Sequence, residues 1–152
     1  MIRILIVDDH PVVREGLVAV LEDDRDFQVV GMAGSAEEGV ASAETARPDV
    51  VLLDLEMPGM NGIDAIPKLR ATAAHPRVIV LTAYDTEERV LGAVRAGAGG
   101  YLLKGAAASE IAHAIRAVHG GGSYLTPRVA GRVMAQVSDP RDRKSTRLNS
   151  SH

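Results

Sequence analysis

The sequence predicts an α/β domain with a doubly wound, five-stranded parallel sheet. Short, continuously apolar runs end in polar or turn residues, which is typical of strands buried on both faces. Segments of helical length separate these runs, and that alternation favours a parallel sheet covered by helices. The strands are predicted at residues 2–7, 27–31, 50–53, 78–81 and 100–103.

The segments between the strands carry signals for the beginning of helices. Pro11 suits the first turn of a helix that runs to about Glu22. Ser35 can cap the second helix, with Glu38 three residues later as its capping-box partner. The remaining helices are predicted at about 62–73, 86–96 and 107–119, so the domain is expected to span residues 1–120.

The composition changes after residue 120. Three glycines at 120–122 mark the beginning of a linker over 121–137, in which Thr126 and Pro127 begin one short helix. From 138 to 152 only Leu148 is hydrophobic, so this segment is expected to be a disordered tail. Its end resembles a translated cloning scar or a truncated reading frame, and we interpret the tail as non-native.

Composition excludes several classes of function. The 152 residues contain no Cys, which excludes disulfide scaffolds, Cys-ligated metal sites and thiol catalysis. No segment has the length of a signal peptide core or a membrane span, so we expect a cytoplasmic protein without a membrane partner. The net charge of -3 and the pI near 5.9 disfavour a broad nucleic-acid-binding surface.

Polar residues that could form a site follow the predicted strands. In an open parallel sheet, ligands bind beyond the carboxyl ends of the strands. The residues there are Asp8, Asp9, Asp54, Thr82 and Lys104. Clustered carboxylates need a compensating cation, and an all-oxygen ligand set suits Mg²⁺. With a hydroxyl and an ammonium group beside them, the site is predicted to perform phosphoryl transfer, with Asp54 as the nucleophile that forms an aspartyl phosphate.

Four of these residues, and Tyr101 in the last predicted strand, also have a simpler structural explanation. Asp8 or Asp9 could cap a helix or place a charge in its first turn, and Thr82 could cap the helix after it. Lys104 could be solvated, and Tyr101 could be a core residue. Their joint placement at strand ends favours a site.

The turn after the third strand and the histidine after the acidic pair also bear on the site. Pro58, Gly59 and Gly62 impose a turn, which would direct the Glu56 backbone carbonyl toward the metal. His10 is better explained as a surface histidine than as a metal ligand.

Four motifs occur in a fixed order. They are Ile-Leu-Ile-Val-Asp-Asp-His-Pro, Val-Val-Leu-Leu-Asp-Leu-Glu-Met-Pro-Gly-Met-Asn-Gly, Val-Leu-Thr-Ala and Gly-Tyr-Leu-Leu-Lys. In order and spacing, they resemble the receiver domain of bacterial two-component response regulators over about residues 1–120. This resemblance implies a flavodoxin-like sheet with the strand order 2-1-3-4-5. Asp-His-Pro and the later Gly-Gly-Ser-Tyr-Leu-Thr-Pro-Arg-Val-Ala resemble the NarL/FixJ branch, whose members carry a LuxR-type helix-turn-helix.

The resemblance implies a role for each site residue. Asp8, Asp9 and Asp54 would hold Mg²⁺ together with the Glu56 backbone carbonyl. Asp54 would accept the phosphoryl group from a sensor histidine kinase, and Lys104 would pair with a phosphoryl oxygen. The chain would then catalyse its own phosphorylation and slow dephosphorylation, but it would not be an enzyme acting on a free substrate.

The resemblance also implies a conformational switch. The Thr82 hydroxyl would turn to meet the phosphoryl group, and Tyr101 would pack inward, which biases a bistable surface toward homodimerisation. The full-length protein would be a transcription regulator that binds DNA only through an output domain. We expect that domain to be missing from this chain, because no helical bundle pattern follows Met134.

Two departures and three alternatives accompany the resemblance. Gly105 follows Lys104 where many receivers have Pro, and the LuxR-type module is missing. A hydrolase of the haloacid-dehalogenase type uses similar groups, but it has Asp at the position of Glu56. Its other metal-binding carboxylates follow the Lys, whereas here the acidic pair precedes the nucleophile. A nucleotide-binding Rossmann module is disfavoured because Gly-x-Gly-x-x-Gly does not follow the first strand. A phosphate-independent scaffold with this fold is the third alternative.

Overall fold

A computed structural model describes residues 1–137. Strands and helices alternate, and every strand pair is parallel. The sheet order is β2-β1-β3-β4-β5-β6. The elements are β1 (Ile2–Val7), α1 (Pro11–Glu22), β2 (Phe27–Ala33), α2 (Ala36–Ala46), β3 (Val50–Asp54), α3 (Gly62–Arg70), β4 (Arg77–Thr82), α4 (Glu87–Ala96), β5 (Gly100–Leu103), α5 (Ala108–His119), β6 (Tyr124–Leu125) and α6 (Pro127–Val137).

The sheet has six strands where five were predicted. The first five strands lie in the predicted order, and β6 adds to the edge beside β5, with Tyr124 opposite Gly100. A strand of two residues carries no detectable hydrophobic period, and the glycines before it predict only a break. The segment assigned to a linker over 121–137 therefore contributes to the sheet. The tail predicted over 138–152 lies outside the described residues.

The alternation of side chains along the buried strands produces two cores, one on each face of the sheet. On β3, Val51 and Leu53 belong to the core that also contains residues of α2, α3 and α4. Val50 and Leu52 point to the opposite core, which contains residues of α1 and α5. Because both faces are covered, the strands have the continuous apolar sequence that predicted them.

The helix α6 packs on the domain and does not extend away from it. It contacts α4 and β6, and Val129 is completely buried in the first core. Asp85, in the loop before α4, forms ion pairs with Arg128 at 2.8 Å and Arg132 at 3.6 Å. The C-terminal segment is therefore joined both to α4 and to the loop that follows β4.

Local hydrogen bonds set the helix ends. The Ser35 side chain accepts a hydrogen bond from the Glu38 N–H, as the predicted cap requires. α3 ends at Arg70, earlier than predicted, because the N–H and the hydroxyl of Thr72 both donate to the Leu69 carbonyl.

Within residues 1–137, every helix falls short of the length and apolar character that crossing a membrane requires.

Candidate functional site

The register of the sheet brings the predicted site residues to one edge. Val7 lies opposite Leu53, so Asp8, directly after β1, is at the same level as Asp54, the last residue of β3. Asp54 in turn lies opposite Leu81, so that Thr82 is one residue further along β4. Lys104 directly follows β5, and its N–H donates to the Thr82 carbonyl at 2.7 Å.

Asp54 is completely buried at the centre of this edge. Its Oδ1 atom accepts a hydrogen bond from the Glu56 N–H at 2.9 Å and lies 3.0 Å from the Lys104 ammonium nitrogen. Its Oδ2 atom accepts no hydrogen bond from the residues that the structure describes. One oxygen is therefore held by the protein and the other is left for a ligand.

The acidic pair and His10 complete a cluster around Asp54. Ligand atoms of Asp8, Asp9, His10 and Asp54 all lie within 4.8 Å of one another. Asp8 is 1% exposed, and its Oδ1 accepts a hydrogen bond from the His10 N–H at 2.8 Å. The His10 Nδ1 lies 3.0 Å from Asp9 Oδ1 and 3.8 Å from Asp54 Oδ2. His10, which we expected to be a surface residue, therefore has an exposed side chain that reaches into the acidic cluster.

Burial and charge change the proton affinities within the site. Burial raises the pKa of Asp54 above its ordinary value, despite the opposing effects of the Glu56 N–H and Lys104. Burial alone would lower the pKa of Lys104, but its hydrogen bond and charge interaction with Asp54 raise it. Lys104 is therefore held as a cation beside a carboxylate that is costly to ionise.

The carboxylates fit a divalent cation. Asp8 Oδ2 and Asp54 Oδ2 are buried, and both lack a hydrogen-bond donor among the described residues. Buried carboxylate oxygens without donors are costly unless a cation compensates them. Oxygen ligands of this kind are those that Mg²⁺ prefers.

Thr82 makes its contacts with Glu56 and does not cap α4. Its hydroxyl donates a short hydrogen bond to Glu56 Oε2 and accepts one from the Tyr84 N–H at 3.1 Å. The residue that caps α4 is Thr86. Because Thr82 is completely buried, its hydroxyl depends on protein partners at this position.

Tyr101 is completely buried beneath the loop that follows β4. Its hydroxyl donates to the Tyr84 carbonyl at 2.9 Å, so the loop is attached directly to β5. Burial raises the pKa of this phenol. Tyr101 therefore already lies in the inward position that the resemblance associates with the switched state.

Glycines shape the two loops beside the site. At Gly62, a Cβ atom would lie 2.6 Å from Leu55 Cδ2 and 3.0 Å from Leu55 Cα, so a side chain there would displace the loop after β3. Gly105 has a φ of 93°, in the left-handed region that glycine adopts readily. Proline, with its φ fixed near about −65°, could not take this conformation, which explains the departure after Lys104.

Two features of the site were not predicted from the sequence. The Glu56 side chain accepts hydrogen bonds from Thr82, from the Ala83 N–H at 2.7 Å and from Arg89 at 2.6 Å. Only the Glu56 carbonyl had been assigned a role, and Arg89 had none. Because Arg89 is separated from Glu56 by 33 residues, no local spacing signals their contact.

Comparison with known proteins agrees with this arrangement. A model of the response regulator receiver domain matches residues 4–116. The transcriptional regulatory protein LiaR of Bacillus subtilis is 44% identical over 137 residues, covering 90% of this chain and 65% of LiaR. The DNA-binding transcriptional activator DevR/DosR of Mycobacterium tuberculosis is 42% identical over 137 residues, covering 90% of this chain and 63% of that protein.

Solved structures show the same relationship. A LuxR-family two-component response regulator from Aurantimonas sp. SI85-9A1 has a TM-score of 0.84 at 32% identity, covering 91% of this chain and 99% of that one. The chain spans just under two thirds of the length of the curated relatives described above. Because the receiver model covers most of the chain and these relatives are transcriptional regulators, the chain belongs to the response regulator receiver domain family of two-component systems, in its NarL/FixJ-type branch.

Proposed function

We propose that Asp54 is the phosphoacceptor of this receiver and that a sensor histidine kinase is the donor. The observation that carries the proposal is the asymmetry of the buried Asp54 carboxylate. Oδ1 is held by Lys104 and the Glu56 N–H, whereas Oδ2 has no hydrogen-bond donor among residues 1–137 and faces the acidic pair. A carboxylate fixed on one side and open on the other is suited to nucleophilic attack.

Transfer of the phosphoryl group from the kinase to Asp54 would be a displacement at phosphorus. One oxygen of the Asp54 carboxylate forms a bond to phosphorus as the P–N bond of the phosphohistidine breaks, and the imidazole leaves with the bonding electron pair. Lys104 lies 3.0 Å from Asp54, where its ammonium group can stabilise charge on a phosphoryl oxygen. Attack by water on phosphorus would later release inorganic phosphate and restore the carboxylate. Both steps are self-catalysed in this proposal, without a free substrate being turned over.

We propose that Mg²⁺ is held by the carboxylates of Asp8, Asp9 and Asp54 and by the Glu56 backbone carbonyl. The buried Asp8 Oδ2, which has no hydrogen-bond donor among the described residues, supports this assignment. When bound, the ion would neutralise charge on the transferring phosphoryl group. The protein contributes a fixed set of oxygens at one edge of the sheet.

Phosphorylation would act through Thr82 and the loop that follows it. We propose that the Thr82 hydroxyl turns toward the phosphoryl group while Tyr101 keeps the loop attached to β5. The altered surface would favour a homodimer. In the whole protein, which we expect in the cytoplasm, this change would control a DNA-binding output domain, as the names of the transcriptional relatives suggest.

Intact mass spectrometry after incubation with acetyl phosphate tests the proposal. We expect a single phosphoryl adduct that requires Mg²⁺ and is absent from Asp54→Asn. Asp64→Asn is the matched control, because Asp64 is an exposed residue in the first turn of α3, and it should behave like the wild type. The absence of an adduct from folded wild-type protein would refute the proposal and favour a phosphate-independent scaffold.

A further inference from the structure

The Glu56 side chain forms a network that phosphoryl transfer does not require. This network consists of Glu56, Thr82, Ala83 and Arg89. Glu56 Oε2 accepts hydrogen bonds from the Thr82 hydroxyl and the Arg89 guanidinium group, and Oε1 accepts from the Ala83 N–H. The network therefore connects the end of β3 with the end of β4 and with α4.

The hydroxyl of Thr82 cannot serve two acceptors at once. A threonine hydroxyl has a single hydrogen to donate. In this structure it is donated to Glu56 Oε2, while the hydroxyl oxygen accepts from the Tyr84 N–H. A hydrogen bond from Thr82 to a phosphoryl group on Asp54 would therefore require that the bond to Glu56 be broken.

Neighbouring cations keep the Glu56 carboxylate in place. Arg89 lies 2.6 Å from Oε2 and the Lys104 ammonium nitrogen lies 3.6 Å from Oε1. The acceptor that holds Thr82 is therefore a carboxylate flanked by two cations, and hydrogen bonds to charged groups are stronger than those to neutral ones.

We propose that the Glu56 carboxylate is a positioning residue that holds the Thr82 hydroxyl away from Asp54 in the unphosphorylated protein. It thereby sets how readily the domain switches. The inference rests on the proposed function, because it assumes that a phosphoryl group on Asp54 competes with Glu56 for the Thr82 hydroxyl. It concerns the side chain of Glu56 only, so that replacing this residue leaves the proposed carbonyl ligand of Mg²⁺ in the chain.

Binding of the phosphoryl mimic BeF₃⁻ in the presence of Mg²⁺ tests the inference. Glu56→Ala should bind BeF₃⁻ about tenfold more tightly than the wild type, because the hydrogen bond to a charged acceptor no longer has to be broken. Glu88→Ala is the matched control, because it removes the same charge from an exposed position in α4. Its affinity should equal that of the wild type.

A double-mutant cycle separates positioning from simple charge repulsion. If Glu56 acts through the Thr82 hydroxyl, the tighter binding of Glu56→Ala should disappear in a Thr82→Ala background. An equal gain in both backgrounds would show that the removed charge alone is responsible and would overturn the inference. Unchanged affinity of Glu56→Ala in the wild-type background would also overturn it.

The same experiment distinguishes failure of the inference from failure of the proposed function. If the wild type does not bind BeF₃⁻, the proposed phosphoacceptor role is refuted and the inference with it. Ala83 is exposed and Arg89 is partly exposed, so water can replace Glu56 as their partner. Thermal unfolding tests that the fold of each variant is intact. Glu56→Gln retains the shape of the side chain but removes its charge, and it should also bind BeF₃⁻ more tightly than the wild type.

Discussion

Replacing Lys104 with Met should destabilise the metal-free protein, because Lys104 is the cation nearest to the buried Asp54 carboxylate. Their closest atoms are 3.0 Å apart. At an effective dielectric constant of about 20, two unit charges at this distance attract by about 5.5 kcal/mol. Because 25% of the Lys104 side chain is exposed, solvent screens the pair. We therefore expect a net loss of about 2–3 kcal/mol in the free energy of unfolding.

Urea unfolding, followed by circular dichroism at neutral pH with a chelator present, measures this loss. The same substitution in an Asp54→Asn background should cost less than about 1 kcal/mol, because the charge that Lys104 compensates is gone. An equal loss in both backgrounds would refute the reasoning, since it would show that Lys104 stabilises the fold by packing of its stem.

The loss of stability caused by Lys104→Met should depend on pH because of the pKa of Asp54. The pKa of this group is raised above its ordinary value of 3.8, so the folded state binds its proton more tightly than the unfolded state does. Its contribution to stability therefore falls as the pH rises through the interval between the two values. Below that interval Asp54 is neutral and needs no cation. The cost of Lys104→Met should accordingly shrink as the pH is lowered, which unfolding at a series of acidic pH values would measure.

Three further substitutions test the metal site, the switch and the packing of α6. Asp9→Ala should abolish the increase in melting temperature that Mg²⁺ gives the wild type, as scanning calorimetry would show; an undiminished increase would contradict the assignment. Thr82→Ala should still accept one phosphoryl group on Asp54 by mass spectrometry but lose phosphorylation-induced dimerisation by light scattering. Val129→Asp places a charge in the core and should speed amide hydrogen exchange in α6, whereas the exposed Met134→Asp should leave it unchanged.

The fold was predictable where burial leaves a local pattern. β3 is buried along its whole length, so its sequence is continuously apolar up to Asp54. The rule that ligands bind at the carboxyl ends of parallel strands then placed Asp54 beside Asp8 without knowledge of any distance. Because Val7 and Leu53 pair in register on neighbouring parallel strands, the strand boundaries alone are enough to place Asp8 beside Asp54.

The C-terminal part of the domain was not predictable in the same way. β6 has two residues, and a run of that length cannot be distinguished from a loop. The position of α6 depends on contacts between distant residues, such as the ion pair of Arg128 with Asp85 and the burial of Val129 against the core. The sequence predicted that a helix begins at Pro127, but it carried no signal for the surface that the helix covers.

At Glu56, one contribution of the residue could be predicted from the sequence and another could not. Its backbone carbonyl was assigned from the turn, and any residue at this position would supply a carbonyl. Its carboxylate contacts Thr82 and Arg89, which are 26 and 33 residues away, so their contact could be found only in the folded chain. Every residue has a backbone carbonyl, but the carboxylate is supplied by the Glu56 side chain. Substitution at this one position therefore separates the two roles. Glu56→Ala should retain the affinity of the wild type for Mg²⁺ while changing its affinity for a phosphoryl mimic.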